Sequence, residues 1–407
     1  MQLTTDGTVT REASSGEFIA LVALTTSLVA MSIDTMLPAL GDIARDLSLG
    51  NPNDRQLVLT AFFGGLSVGQ LIAGPLSDAT GRKPALFAGI ACFIVGSLCC
   101  ALAPSFNVLL VGRVLQGLGA AGPRIVAVAV VRDLYSGRAM AKVMSFVQTV
   151  FILVPVLAPA FGQTLLLVAH WRVLFWLLVV VALIDAAWFG LRQPETLPLA
   201  RRASLSLGVV LGRMGEALRN RLTLCYTLAS GAVFGAIVCY LGTSQQIYQE
   251  QYGVGKLFPV YFGACAFSLG LASFVNARLV MRFGIRTLSR RAVICEVVVA
   301  VASVLVAAAY HGHPPLPLFM LGMLVCFFCN GLLFGNYNAR AMQPMGHIAG
   351  VAAAVCGSLS GLVAMLIGTP LGRAYDGTVI PVLGGFALLS LSAWLLTEIA
   401  EWGERPD

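Results

Sequence analysis

Twelve windows of about 20 predominantly apolar residues recur along the chain, each long enough to cross a hydrocarbon core of about 30 Å as a helix. Their limits are Phe18 to Leu40, Leu57 to Leu76, Pro84 to Leu102, Phe106 to Val131, Ala141 to Val168 and Val173 to Leu191 in the first half. In the second half they are Leu222 to Leu241, Leu257 to Leu279, Ala292 to Tyr310, Leu316 to Ala339, Ile348 to Leu371 and Val379 to Leu396. Without water to satisfy backbone groups, runs of this length span a membrane only as helices. Charged residues make up 11% of the chain, against about 25% in soluble domains. The expected fold class is therefore an all-α polytopic membrane protein with twelve transmembrane helices.

Basic residues set the expected orientation. With the N-terminus inside, Arg and Lys collect in the segments 82–83, 132–142, 192–221 and 282–291 and at Arg340. The opposite loops hold only Arg45, Arg55, Arg172, Lys256 and Arg373. This bias places both termini of a multi-pass membrane protein in the cytoplasm. It also accounts for the net charge of +7 through topology and contact with anionic lipid, and nothing calls for nucleic acid. The first seventeen residues have no basic region ahead of the apolar run, which argues against a cleavable signal. The ten cysteines lie almost wholly in the spans and read as apolar packing residues, with no metal site. No nucleotide-binding loop or H-E-x-x-H spacing occurs among residues that include only four histidines, so neither an enzyme nor an ATP-driven pump is expected.

The polar stretch from Arg192 to Arg221 divides six spans from six. We expect an N-terminal bundle at 1–191, a cytoplasmic linker at 192–221 and a C-terminal bundle at 222–407. "GPLSDATGR" after the second span has an echo in "ARLVMRFGI" after the eighth, offset by half the chain, with Leu76 and Gly81 aligned to Leu279 and Gly284. Parallel repeats of this kind make two pseudo-symmetric six-helix bundles that rock about a midplane cavity.

Two charges within the spans need explanation. Asp34, in "MSIDTMLPAL", lies about six residues from the outer end of its span, and Arg113 about seven from the outer end of its own. At bilayer depth each costs roughly 2.5 to 3.5 kcal/mol on insertion scales. At 1.5 Å per residue both lie roughly 10 Å deep, so an Asp34–Arg113 pair is expected. Such a pair either couples protons or is purely structural.

The loop "GPLSDATGRKPAL" resembles the G-x-L-x-D-x-x-G-R-[KR] motif of the major facilitator superfamily at Gly74, Leu76, Asp78, Gly81, Arg82 and Lys83. Physically, Gly74 allows close helix approach and Gly81 a tight turn. "RVLQGLGAA" is similar to the superfamily's R-x-x-Q-G-x-G-A-A motif at Arg113, Gln116, Gly117, Gly119, Ala120 and Ala121, with small residues suited to close packing. The fifth span keeps Pro159 and Gly162 of the antiporter motif, with Pro155 as a second kink residue, but Val154, Ala158 and Gln163 replace three of its glycines. "SIDTMLPAL", "VVRDLYSG", "PAFG", "HWRVLFW" and "PETLP" in this order resemble the Bcr/CflA group of bacterial drug:proton antiporters. That resemblance implies a monomeric exporter of amphipathic antibiotics, driven by protons and needing no cofactor. It also implies that Asp78 and Arg82 latch the halves, while Met281 in place of the second aspartate leaves the other copy degenerate.

Candidate substrate contacts are Arg124, Gln116, Gln148 and Asn330, with Phe62, Phe63, Tyr240, Tyr261 and Tyr337 as an aromatic wall; Asn336 and Asn338 read as helix-helix glue or substrate contacts. Asp185 and Glu296, toward the inner ends of their spans, are expected to reach interfacial water. The alternative to drug export within the same fold is proton-coupled export of a metabolite such as an amino acid, sugar or siderophore.

Overall fold

The computed structural model describes residues 15–202 and 207–403, and no strand occurs among them. The expectation that the N-terminal segment is not a cleavable signal falls mainly on residues outside this range. Twelve long helices cross the membrane: α1 (Ser15–Asp34), α3 (Leu57–Thr80), α4 (Arg82–Ala101), α5 (Phe106–Leu134), α6 (Gly137–Leu166) and α7 (Arg172–Arg192), then α9 (Arg221–Gln245), α10 (Phe258–Phe283), α11 (Ile285–Ala309), α12 (Leu316–Met342), α13 (Ala349–Arg373) and α14 (Ile380–Glu401). Two shorter helices, α2 (Leu40–Asp46) and α8 (Leu207–Arg219), do not cross.

The apolar helical stretch Leu316–Arg373 has 58 residues, about 87 Å if it were straight, far beyond a bilayer. It folds back at Gln343–Ile348, where Met345 leaves helical geometry, so α12 and α13 are separate crossings. α1 to α7 pack as one six-helix bundle and α9 to α14 as another, joined mainly along α3 against α13 and α6 against α10. The repeat legible in the sequence recurs in the backbone: Gly81 and Gly284 take positive φ values of 111° and 76° and each leads directly into the next helix.

Two elements depart from expectation. The first span ends as an α-helix at Asp34 rather than Leu40, because the chain turns at Thr35 and Met36 and continues as a 3₁₀ turn over Leu37–Ala39 with Pro38 near its start. The central polar segment is also not wholly a linker. α8 is amphipathic and buries Ala217 against Ile348, Ala352 and Val355, which seats it on the start of α13.

Hereafter the face where α1 begins and α14 ends is called proximal, and the other distal.

Candidate functional site

A cavity of about 1040 Å³ lies between the two bundles. It reaches from Asp34 and Phe262 to Arg82, Arg132 and Arg213 at the proximal face. Helix pitch explains its wall: residues three or four apart share a face, so α5 contributes Arg124, Ile125 and Val128, and α6 contributes Gln148, Phe151, Ile152 and Pro155. Phe63, Phe234, Phe327 and Phe334 add an aromatic lining, and Phe234 makes edge contacts to both Phe63 and Phe334 at centroid distances of 5.3 and 6.0 Å.

The distal end is shut by polar contacts between the bundles. Arg55 donates to Gln245 at 2.5 Å and pairs with Glu250 at 2.7 Å. Gln56 donates to the Gly372 carbonyl at 2.9 Å, Asn53 to the Tyr375 carbonyl at 2.7 Å, and Gln249 to Gln163 at 3.1 Å. The segment Gln246–Gln251 that continues α9 is a π-helix, a rare geometry often found at functional sites.

Asp34 and Arg113 do lie at one depth, since Arg113 donates to the Ser32 carbonyl at 3.1 Å. They do not form an ion pair. The Arg113 guanidinium is fully buried inside the N-terminal bundle, where it also bonds the Val58 carbonyl at 3.0 Å and Gln116 at 2.5 Å and lies 4.6 Å from the Phe62 ring centroid. Asp34 sits on the cavity wall at the end of α1 and has no hydrogen-bond or ion-pair partner among the described residues. Similar depth therefore did not mean a shared face.

Of the candidate substrate contacts, Arg124 and Gln148 line the cavity. Gln116 does not; it is fully buried and bridges Arg113 to Ser97. Phe62 lies beneath Arg113, one residue and about 100° of helix from the cavity-lining Phe63. Tyr240 packs on Phe327 and Tyr248, and Tyr337 on Tyr226, inside the C-terminal bundle. Asn330 donates to Glu296 at 3.0 Å, away from the cavity. The expectation that Asp185 and Glu296 reach interfacial water fails, because both are fully buried in bundle interiors and Thr25 holds Asp185 at 2.6 Å. Asn336 pairs reciprocally with Asn276, as helix-helix glue, while Asn338 faces the cavity.

At the proximal face Arg82 bonds Asp78 at 2.6 Å and Asp133 at 2.8 Å, while the backbone N–H groups of Arg82 and Lys83 donate to Glu195. These partners all lie on the N-terminal side of the seam, so in this conformation Asp78 and Arg82 do not tie the two bundles together. Gly81 makes the expected turn, whereas Gly74 is not a close-packing glycine: an added Cβ would meet nothing nearer than Ala354 at 4.0 Å. The C-terminal bundle, lacking the aspartate, gathers Arg340, Arg286 and Tyr226 around Glu401 at 2.8, 3.1 and 2.6 Å. Nothing in the loop motif pointed to that glutamate on the last helix. Pro155 and Pro159 lie within one continuous helix, and Gly162 lets α6 meet the turn after Asp34, since a Cβ there would stand 2.2 Å from the Thr35 carbonyl oxygen.

Comparison with known proteins agrees with this architecture. A family model described as Major Facilitator Superfamily matches residues 22–399. The chain is 33% identical over 365 residues to the uncharacterized MFS-type transporter YdgK of Bacillus subtilis, covering 89% of this chain and 90% of that one. It is 29% identical to a bicyclomycin resistance protein homolog of Haemophilus influenzae, covering 93% and 95% of the two chains. With the multidrug resistance protein MdtL of Escherichia coli it shares 32% identity, covering 80% and 82%. A partially occluded, inward-open form of the xylose transporter XylE from E. coli superposes with a TM-score of 0.73 at 12% identity, covering 96% and 98%.

Proposed function

The chain belongs to the major facilitator superfamily, and we propose that it exports amphipathic, drug-like compounds in exchange for protons by alternating access. The observation that carries this reading is the placement of Asp34, a carboxyl group without a hydrogen-bond or ion-pair partner among the described residues, at the closed end of an aromatic-lined cavity of about 1040 Å³. A cavity of this size, mostly apolar with a few polar groups, suits a drug-sized ligand. The resistance functions named for relatives at 29% and 32% identity support the same substrate class.

In this reading the proximal face is cytoplasmic, as the distribution of arginines argues, and the membrane is a bacterial inner membrane. The present conformation receives drug from the cytoplasm. Asp34 gives its proton to the cytoplasm as drug enters, and the distal contacts of Arg55 and Gln56 then part while the proximal side closes. Drug leaves, Asp34 takes a proton from the distal side, and the carrier returns. One proton moving inward supplies about 2.3 kcal/mol per 100 mV, enough for roughly fifty-fold accumulation. Asp78 and Arg82, free of the C-terminal bundle here, would contribute to the proximal closure in the opposite state. The transporter needs no cofactor and works as a monomer, in contact with lipid and small molecules only.

Transport in sealed proteoliposomes with an imposed pH gradient tests this reading. Gradient-dependent accumulation of aromatic antibiotics, with reciprocal proton flux, is expected. Proton flux driven only by amino acids, sugars or siderophores would replace drug export with metabolite export.

A further inference from the structure

Arg124 is the deepest cation on the cavity wall, and it has no ion pair or hydrogen bond with any described residue. It lies eleven residues after Arg113 on α5, three helical turns, and therefore on nearly the same face. Where that face is enclosed by α1 and α3, Arg113 is fully buried. Closer to the proximal face the bundles part, and the same face presents Arg124 to the open cavity.

The rest of the lining reinforces its sign. Arg132 and Arg213 face the cavity nearer the mouth and likewise have no ion-pair partner among the described residues. The carboxylates of the wall are Asp34 and Asp78, and Asp78 is engaged by Arg82. Arg113, near the level of Asp34, stands about 16 Å from Arg124 along the helix axis, and Asp34 makes no ion pair or hydrogen bond with Arg124. A guanidinium without an ion-pair partner among the described residues, on a mostly apolar wall, favours an incoming negative charge, and its planar fork matches a carboxylate.

We propose that the preferred substrates are amphipathic acids, whose anionic group pairs with Arg124 while an aromatic or aliphatic body packs on Phe151, Phe234 and Phe334. This rests on the export reading above and names its substrate class. Arg132 and Arg213 draw the anion toward the mouth, and Asp34 remains available for the proton because it does not contact the anionic group.

Binding of a naphthoate and of its uncharged naphthamide to the full-length protein, in phosphatidylcholine nanodiscs, tests the assignment. The wild type should bind the acid at least tenfold more tightly than the amide. The ratio should fall to near one in Arg124→Gln and be partly kept in Arg124→Lys, with unchanged thermal unfolding as the folding control. Equal binding of acid and amide by the wild type, or an unchanged ratio in Arg124→Gln, would overturn the proposal. Repetition in nanodiscs containing phosphatidylglycerol separates substrate from lipid: a retained preference assigns the site to the substrate, and its abolition assigns Arg124 to a lipid headgroup and overturns the substrate claim. Gradient-driven accumulation of neutral or cationic drugs by the wild type, with no acid preference in its binding, would leave export standing and overturn the anion site. An acid preference in binding without gradient-driven transport would do the reverse.

Discussion

Arg113 donates to the backbone carbonyl of Ser32 at 3.1 Å, two residues before Asp34, yet the two charges do not pair. The arginine therefore acts on the carboxyl through the backbone of α1. It holds the last turn of the helix against α3 and α5, and Asp34 projects from that anchored end into the cavity.

Removing Arg113 should consequently damage the bundle as well as transport. Arg113→Ala removes the donor to the Ser32 and Val58 carbonyls and to Gln116 and leaves a cavity in a buried site, and losses of this kind typically reach about 3 kcal/mol or more. The unfolding temperature in detergent should drop by several degrees, while the isosteric Asp34→Asn, which breaks no hydrogen bond or ion pair among the described residues, should leave it unchanged. Equal unfolding temperatures for Arg113→Ala and the wild type would refute the anchoring role.

Phe62 and Phe334 should respond in opposite ways. Phe62 is fully buried beneath Arg113, so Phe62→Ala opens a core cavity at a cost of about 3 to 5 kcal/mol. Phe334 lines the substrate cavity, so Phe334→Ala should raise KM for aromatic substrates roughly tenfold with little change in thermal unfolding. Paired melting curves and transport kinetics on the two variants check this.

The distal seal can be weakened at its ion pair. Glu250→Gln removes the charge opposite Arg55, which is itself 4% exposed. Populations should then shift toward a distal-open form by several-fold, read as a longer spin-label distance between Ser48 and Lys256 on the distal loops of the two bundles. An unchanged distance distribution would mean that the glutamine contacts hold the seal without the ion pair.

Gly162 is constrained by the turn that follows Asp34. A Cβ there would lie 2.2 Å from the Thr35 carbonyl oxygen, a backbone atom with no freedom to swing away. Gly162→Val should push α6 off α1 and reduce transport at least tenfold. Normal transport rates in this variant would show that the turn is compliant.

Much of the fold was legible because bilayer thickness imposes one length on every span, and twelve apolar runs announce themselves in the sequence. The fold-back at Gln343–Ile348 could be read because a 58-residue helix fits no bilayer. Depth was legible too, as Ser32 and Arg113 meet. Helix rotation was not. Near-uniform apolar faces give little sign of which side meets the partner bundle, so the buried Phe62 is grouped with the cavity-lining Phe63, and Tyr240, Tyr261 and Tyr337 are named where Phe234 and Phe334 line the cavity. The amphipathic helix α8 was hidden by its polarity, which resembles a linker until it is seated on α13. Glu401 escaped notice because the motif that it serves lies more than a hundred residues earlier in the chain.

The most direct test of proton coupling at Asp34 compares uphill transport with exchange in the Asp34→Asn variant, in the same proteoliposomes. A pH gradient should drive no accumulation by this variant while substrate counterflow persists, because alternation needs no net proton movement when substrate occupies both sides. Gradient-driven accumulation by Asp34→Asn at the wild-type level would contradict proton coupling at Asp34.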